Sequence, residues 1–199
     1  MAKVQPKPVF ASSSSSYMTS RRESFTIWMK SLVFHGSGCT VFDSKGEIIY
    51  RIDNYNHKHN DRVFLMDLRG HVLFTLVRKK LTVLGSWEGY KSCDSSTGTE
   101  EKPSFKVSRP SWIFRRSSPC KVTVRWDRNQ NSCHKIKKLK SGFEIVNPQG
   151  GLITEVKQKH SSSGVALGDD VLSMVVEPDI DHSLIMAIVV VYSLMNHNM

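Results

Sequence analysis

The run from Leu184 to Met195 (Leu-Ile-Met-Ala-Ile-Val-Val-Val-Tyr-Ser-Leu-Met) constrains this chain more than any other feature. Wound as a helix, it carries apolar groups around nearly its whole circumference, so it has no face to offer water and must be enclosed by protein. Its twelve residues make a helix of about 18 Å, whereas a bilayer core needs around 20 residues and 30 Å. A transmembrane span is therefore not expected. The Ile and Val content also suits a buried strand, but strands typically stop near six residues, and length favours the helix. Asp181 stands where an N-cap belongs, and Pro178 holds the approach extended.

The rest of the chain reads as β. From Phe25 onward, short β-branched and aromatic runs alternate with turn residues. Three turns share one design: Asp43-Ser44-Lys45-Gly46, Asp67-Leu68-Arg69-Gly70 and Asn147-Pro148-Gln149-Gly150 each place Asp or Asn first and Gly fourth. The first side chain can accept from the turn amides, and Gly takes a left-handed conformation without Cβ strain. After each turn one face alternates apolar: Ile48, Tyr50 and Ile52; Val72, Phe74 and Leu76; Leu152, Thr154 and Val156. The pattern predicts a buried face beginning two residues after each Gly. With Lys121–Trp126 as a further alternating strand, an antiparallel meander follows. An all-β chain with one helix apolar on every side has a natural solution, in which the sheet closes around the helix and loses its exposed edges.

These residues carry a likeness. Phe25-Thr26-Ile27-Trp28-Met29-Lys30, Gly38-Cys39-Thr40-Val41-Phe42-Asp43, Tyr50-Arg51-Ile52-Asp53-Asn54-Tyr55, Leu65-Met66-Asp67-Leu68-Arg69-Gly70 and Trp87-Glu88-Gly89-Tyr90, with the terminal apolar helix, resemble the plant LURP-one-related proteins. The resemblance covers roughly residues 25–196. It implies a twelve-stranded antiparallel closed β-barrel around a central hydrophobic C-terminal α-helix, the architecture of tubby C-terminal domains and phospholipid scramblases. It also implies an association with plant defence. Residues 1–23, with Pro6, Pro8 and the serines 12–16, are expected to be a disordered tail, and 24–199 the barrel domain.

Charge supplies the functional lead. Lys and Arg number 28 against 18 Asp and Glu, a net +10. Between Lys102 and His160 there are 14 basic residues and three acids (Asp127, Glu144, Glu155), while the remainder is near neutral. Such a segment points to an acidic partner. Arg115 and Arg116 lie beside Trp112 and Phe114; Lys121, Thr123 and Arg125 alternate outward on one strand; Lys135, Lys137, Lys138 and Lys140 follow after a loop. Pairing of Lys121–Trp126 with Lys135–Lys140 would gather five or six cations on one face, with Lys79 and Lys80 extending it. Near an anionic leaflet each adds about 1 kcal/mol, so five give roughly 5 kcal/mol, enough for reversible recruitment. Tubby domains bind phosphoinositide headgroups through basic residues on the barrel wall, and the resemblance implies the same class of ligand.

The expected protein is thus a non-enzymatic, monomeric domain that binds anionic membrane lipid, a phosphoinositide, through Arg115, Arg116, Lys121, Arg125, Lys135, Lys137, Lys138 and Lys140. It is expected in the cytoplasm, at the plasma membrane or in the nucleus, since no apolar leader or span is evident. The alternatives are a protein-interaction module and a membrane-tethered transcription regulator contacting nucleic acid, although no recognition helix, zinc finger or RNP pattern is present. No metal, cofactor or catalytic group is expected. His57-x-His59 offers only two imidazoles, Cys133 and His134 would point to opposite faces of a strand, and the four cysteines form no Cys-x-x-Cys pair.

Overall fold

Each of the three predicted turns is closed by its own first residue. In the computed structural model, which describes residues 17–29, 38–53, 61–79, 85–92, 102–109, 119–127, 130–161, 163–168 and 170–196, Asp43 Oδ1 accepts from the amides of Lys45 and Glu47 at 2.8 Å each. Asp67 Oδ1 does the same for Arg69 and His71, and Asn147 Oδ1 accepts from Gly151 at 2.7 Å. Gly46, Gly70 and Gly150 sit at φ of 84°, 80° and 90°, the left-handed conformation that lets each amide reach back to the first carbonyl.

These turns join β2 (Cys39–Phe42) to β3 (Ile48–Asp53), β4 (Arg62–Asp67) to β5 (Val72–Lys79), and β10 (Gly142–Val146) to β11 (Leu152–Gln158). The remaining strands are β1 (Glu23–Trp28), β6 (Ser86–Lys91), β7 (Phe105–Ser108), β8 (Cys120–Asp127), β9 (Gln130–Leu139) and β12 (Val171–Val176). Every strand pairs with its sequence neighbour, and β1 pairs antiparallel with β12, so the twelve-stranded meander closes into a barrel. The pairing of β8 with β9 runs as far as Asp127 opposite Gln130.

One sequence expectation needs correcting at all three hairpins. The buried face starts four residues after the Gly, at Tyr50, Phe74 and Thr154, whereas Ile48 and Leu152 are 36% and 41% exposed and Val72 is half-buried. The cause is a register shift beside each turn, between Val41 and Phe42, Leu65 and Met66, and Ile145 and Val146. The extra residue flips the first apolar position to the other side of the strand.

The interior is filled by α1 (His182–Asn196), in which Ser183 through Val191 and Ser193 are all buried. Its 15 residues make about 22 Å of helix, and among the described residues no helix is long and apolar enough to cross a membrane. Asp181 caps it: Oδ1 accepts from the amides of Ser183 (2.9 Å) and Leu184 (3.2 Å) and from the Ser183 hydroxyl. Lys91 Nζ lies 3.6 Å from the other carboxylate oxygen. Around the axis Ile27, Val41, Leu65, Leu76, Val107, Val122, Ile145 and Val156 are fully buried against Met186, Ile188 and Val190. Gly89 is needed where β6 passes Phe105, because a Cβ there would lie 2.0 Å from the ring.

Part of the segment expected to be tail belongs with the barrel. Tyr17 packs against Tyr50, tilted, and against His182, edge to face, at centroid distances of 6.0 and 5.7 Å. Met18 bridges to Asp181, and the Asp179 amide donates to the Thr19 carbonyl at 2.8 Å. The residues before 17 lie outside the described part of the chain. This strap covers the end where the helix begins, above the 2.7 Å hydrogen bond shared by Tyr50 and His182 Nδ1.

Candidate functional site

Strands β8 and β9 pair as neighbours, with Lys121 directly opposite Lys135 and Arg125 opposite Asn131. Val122 and Val124 on one strand and His134 and Ile136 on the other are buried against the interior, so the odd-numbered positions face out. Lys121, Arg125, Lys135 and Lys137 therefore share the outer wall. Directly opposed residues have Cβ atoms about 5 Å apart, close enough for like charges to repel. Among the described residues no carboxylate pairs with Lys121 or Lys135, and both are exposed. Lys137 is opposite Glu144 and pairs with it at 3.4 Å. Arg125 donates to the Lys102 carbonyl at 2.8 Å and fixes the entry to β7.

Two of the cations placed on this face by sequence spacing are elsewhere. Lys138 is opposite Phe143, on the interior parity of β9 but exposed at the rim, and Lys140 is in the turn after β9. Alternation allows only every second residue of a strand onto one wall, so the set is four rather than five or six. Arg115 and Arg116, with Trp112 and Phe114, lie outside the described residues, as do His57, His59 and Lys80 and the side chain of Trp126.

The wall continues where the linear charge count does not look. Lys106 on β7 is opposite Thr123 on one side and Glu88 on the other. Glu88 gathers three partners: Lys79 Nζ at 3.2 Å, Lys106 Nζ at 3.7 Å and the Tyr90 hydroxyl, which donates at 2.8 Å. Burial alone would raise the Glu88 carboxyl, but the hydrogen bonds from Tyr90 and Lys79 and the charges of Lys79 and Lys106 outweigh it and hold it below the usual range. Lys79 also sits 5.8 Å above the Tyr90 ring. Beside this group a cleft of about 410 Å³ opens on the outer face of β5 and β6, with Arg62, Lys79 and Lys91 at its edge. Arg62 and Lys91 are missed by any window over residues 102–160, because barrel neighbours are distant in sequence. Their signal is the outward parity of Arg62 and the position of Lys91 at the end of its strand.

Catalytic geometry is sparse among the described residues. Cys133 and His134 do face opposite ways; His134 Nε2 instead shares a 2.8 Å hydrogen bond with Ser132 Oγ. His134 Nδ1 is buried without a partner, so no third group orients the imidazole as a general base requires, and burial lowers its basicity. Cys39, Cys120 and Cys133 are free thiols, and burial pushes the Cys39 thiol far up. Among the described residues no group of three or more His, Cys, Asp or Glu is placed to hold a metal ion.

A closed antiparallel barrel threaded by its own C-terminal helix, with a cationic outer wall and no assembled metal or catalytic cluster among the described residues, defines a helix-filled barrel domain built around its surface. The LURP-one-related family model matches residues 23–193, and the chain belongs to that family. It is 48% identical over 190 residues to Protein LURP-one-related 11 of Arabidopsis thaliana, covering 92% of this chain and 82% of that one. It is 50% identical over 185 residues to Protein LURP-one-related 3 of the same plant, covering 89% and 82%. An X-ray structure of an Arabidopsis thaliana protein superimposes with a TM-score of 0.63 over 91% of this chain and 95% of that one. At 14% identity, that likeness concerns the fold alone.

Proposed function

We propose that this barrel is a binding rather than a catalytic domain, and that it docks reversibly on anionic phospholipid, a phosphoinositide, through the outer wall of β8 and β9. The observation that carries the reading is the Lys121–Lys135 pair. Two exposed lysines directly opposite one another, with no carboxylate between them among the described residues, cost stability. A polyanionic surface relieves that cost. Lys121, Arg125 and Lys135 together contribute about 3 kcal/mol near an anionic leaflet, roughly a 150-fold enrichment, with Lys137 already answered by Glu144. That supports recruitment without permanent anchoring. Across β7 from this wall, a cleft of headgroup size opens on β5 and β6 with Arg62 at its edge. A role in plant defence signalling at the plasma membrane is the context in which such recruitment would act.

Liposome co-sedimentation tests the reading. Neutral vesicles supplemented with a phosphoinositide should retain the protein, and Lys121→Glu/Lys135→Glu should abolish retention while leaving the thermal transition in place. Equal retention on neutral and supplemented vesicles defeats it. Retention by DNA or RNA with a steep salt dependence, and none by vesicles, would assign the wall to nucleic acid instead.

A further inference from the structure

A second site lies about a quarter of the way round the barrel, separated from β9 by β10 and β11. On the outer face of β1, Ser24 and Thr26 stand two residues apart, and Ser173 of β12 is directly opposite Thr26. Short hydroxyl side chains at these positions leave the wall sunken, and the turn 43–46 overhangs it. The result is a cleft of about 380 Å³ bounded by those three residues, Asp43, Lys45 and Lys159. That volume lies in the range of small-molecule sites.

The donors and acceptors in the cleft are specific in kind. Lys159 Nζ donates to Thr26 Oγ1, which pins the ammonium in the cleft; an ammonium has three protons, so two remain for a ligand. Lys45, at the tip of the turn, is exposed and makes no ion pair among the described residues. Asp43 Oδ1 is taken by two backbone amides, which leaves Oδ2 as an acceptor. A phosphate alone answers the two ammonium groups but leaves Asp43 Oδ2 without a hydroxyl donor of its own, and a neutral polyol would leave the two ammonium groups unanswered. A phosphate monoester with free hydroxyls satisfies both. Its phosphate accepts from Lys159, Lys45 and the wall hydroxyls, and one of its own hydroxyls donates to Asp43 Oδ2.

We propose that the cleft between the turn 43–46 and the outer face of β1 and β12 binds a phosphorylated polyol, a sugar or cyclitol phosphate. The site does not use Lys121 or Lys135, so it stands or falls separately from the β8–β9 wall.

Titration calorimetry of the full chain with glucose 6-phosphate, glucose and inorganic phosphate is the test. Glucose 6-phosphate should bind, and the other two at least tenfold more weakly. Thr26→Val/Ser173→Ala, both on a solvent-facing strand surface, should weaken glucose 6-phosphate at least tenfold with the melting temperature retained. Asp43→Asn keeps the turn, since Asn147 holds the equivalent turn in β10–β11, and should narrow the preference for glucose 6-phosphate over inorganic phosphate. No saturable heat at millimolar glucose 6-phosphate, an unchanged affinity in Thr26→Val/Ser173→Ala, or inorganic phosphate binding as tightly as the sugar phosphate would each overturn the assignment. Vesicles bearing phosphatidylinositol 4-phosphate identify the source. Retention that depends on Thr26 and Ser173 places the polyol on a lipid, and retention indifferent to them leaves it a free small molecule.

Discussion

The inside of this barrel and its β8–β9 wall follow opposite rules. Inside, with His134 Nδ1 the exception, polar groups are answered: Asp181 caps the helix and meets Lys91, Thr154 donates to the Val175 carbonyl at 2.6 Å, and Tyr50 shares its hydrogen bond with His182. On the wall, Lys121 and Lys135 face each other with no answer among the described residues. The contrast is sharpest against β5–β7, where Lys79 and Lys106 also stand close together but share Glu88 between them. A fold selected for stability alone would treat both groups of lysines alike. That one group shares a carboxylate and the other has none among the described residues separates cations that serve the barrel from cations available to a partner.

The comparison breaks most severely from the inside. Ile188 is 1% exposed at the centre of α1, and Ile188→Asp would put an unpaired carboxylate where no water reaches. The loss should exceed about 4 kcal/mol and prevent cooperative folding, read as absence of a thermal transition by circular dichroism. A persistent transition would show that the helix is not the core.

Acid should act less strongly but on the same region. Burial holds His182 and His134 below their ordinary value of 6.5, with Asp181 and Glu23 only partly opposing it at His182. The unfolded chain therefore takes up protons that the folded barrel refuses. Stability is intact above pH 6.5 and declines as pH falls below it. Urea unfolding at neutral and mildly acidic pH should show the decline, and His182→Gln should flatten it. An unchanged slope in that variant would remove His182 as the cause.

The smallest effect on stability is the most telling. Lys121→Glu converts a repulsive cross-strand pair with Lys135 into an attractive one, and should stabilise the barrel by about 0.2–1 kcal/mol while weakening retention on phosphoinositide vesicles. A variant that folds better and binds worse is the signature of a residue kept for a partner. Destabilisation by this change would mean that the pair already serves the fold.

Much of this was legible in the sequence because it depends on local rules. The three Asp/Asn-to-Gly turns, the N-cap at Asp181 and the alternation that turns Lys121 and Arg125 outward on their strand all follow from spacings of four residues or fewer. What was not legible needs register. The shifts beside each hairpin expose Ile48 and Leu152, and strand parity removes Lys138 from the wall. The joining of Arg62, Glu88 and Lys106 to the basic face, and of Ser24 and Thr26 to Ser173, requires knowing which strands are neighbours, and the last pair meets only where β1 closes on β12.

That closure also bears on how the protein is made. The element that fills the barrel follows all twelve strands in the chain, so the ribosome delivers the wall before its contents. At about 5–20 residues per second, twelve strands with apolar inner faces wait for seconds without the one segment that can cover them. The final closure has to take in α1 as it arrives. Emergence of α1, rather than the appearance of any strand, is then the event that commits the chain to its native form, and a message truncated just before Asp181 would yield a complete sheet with nothing to fold around.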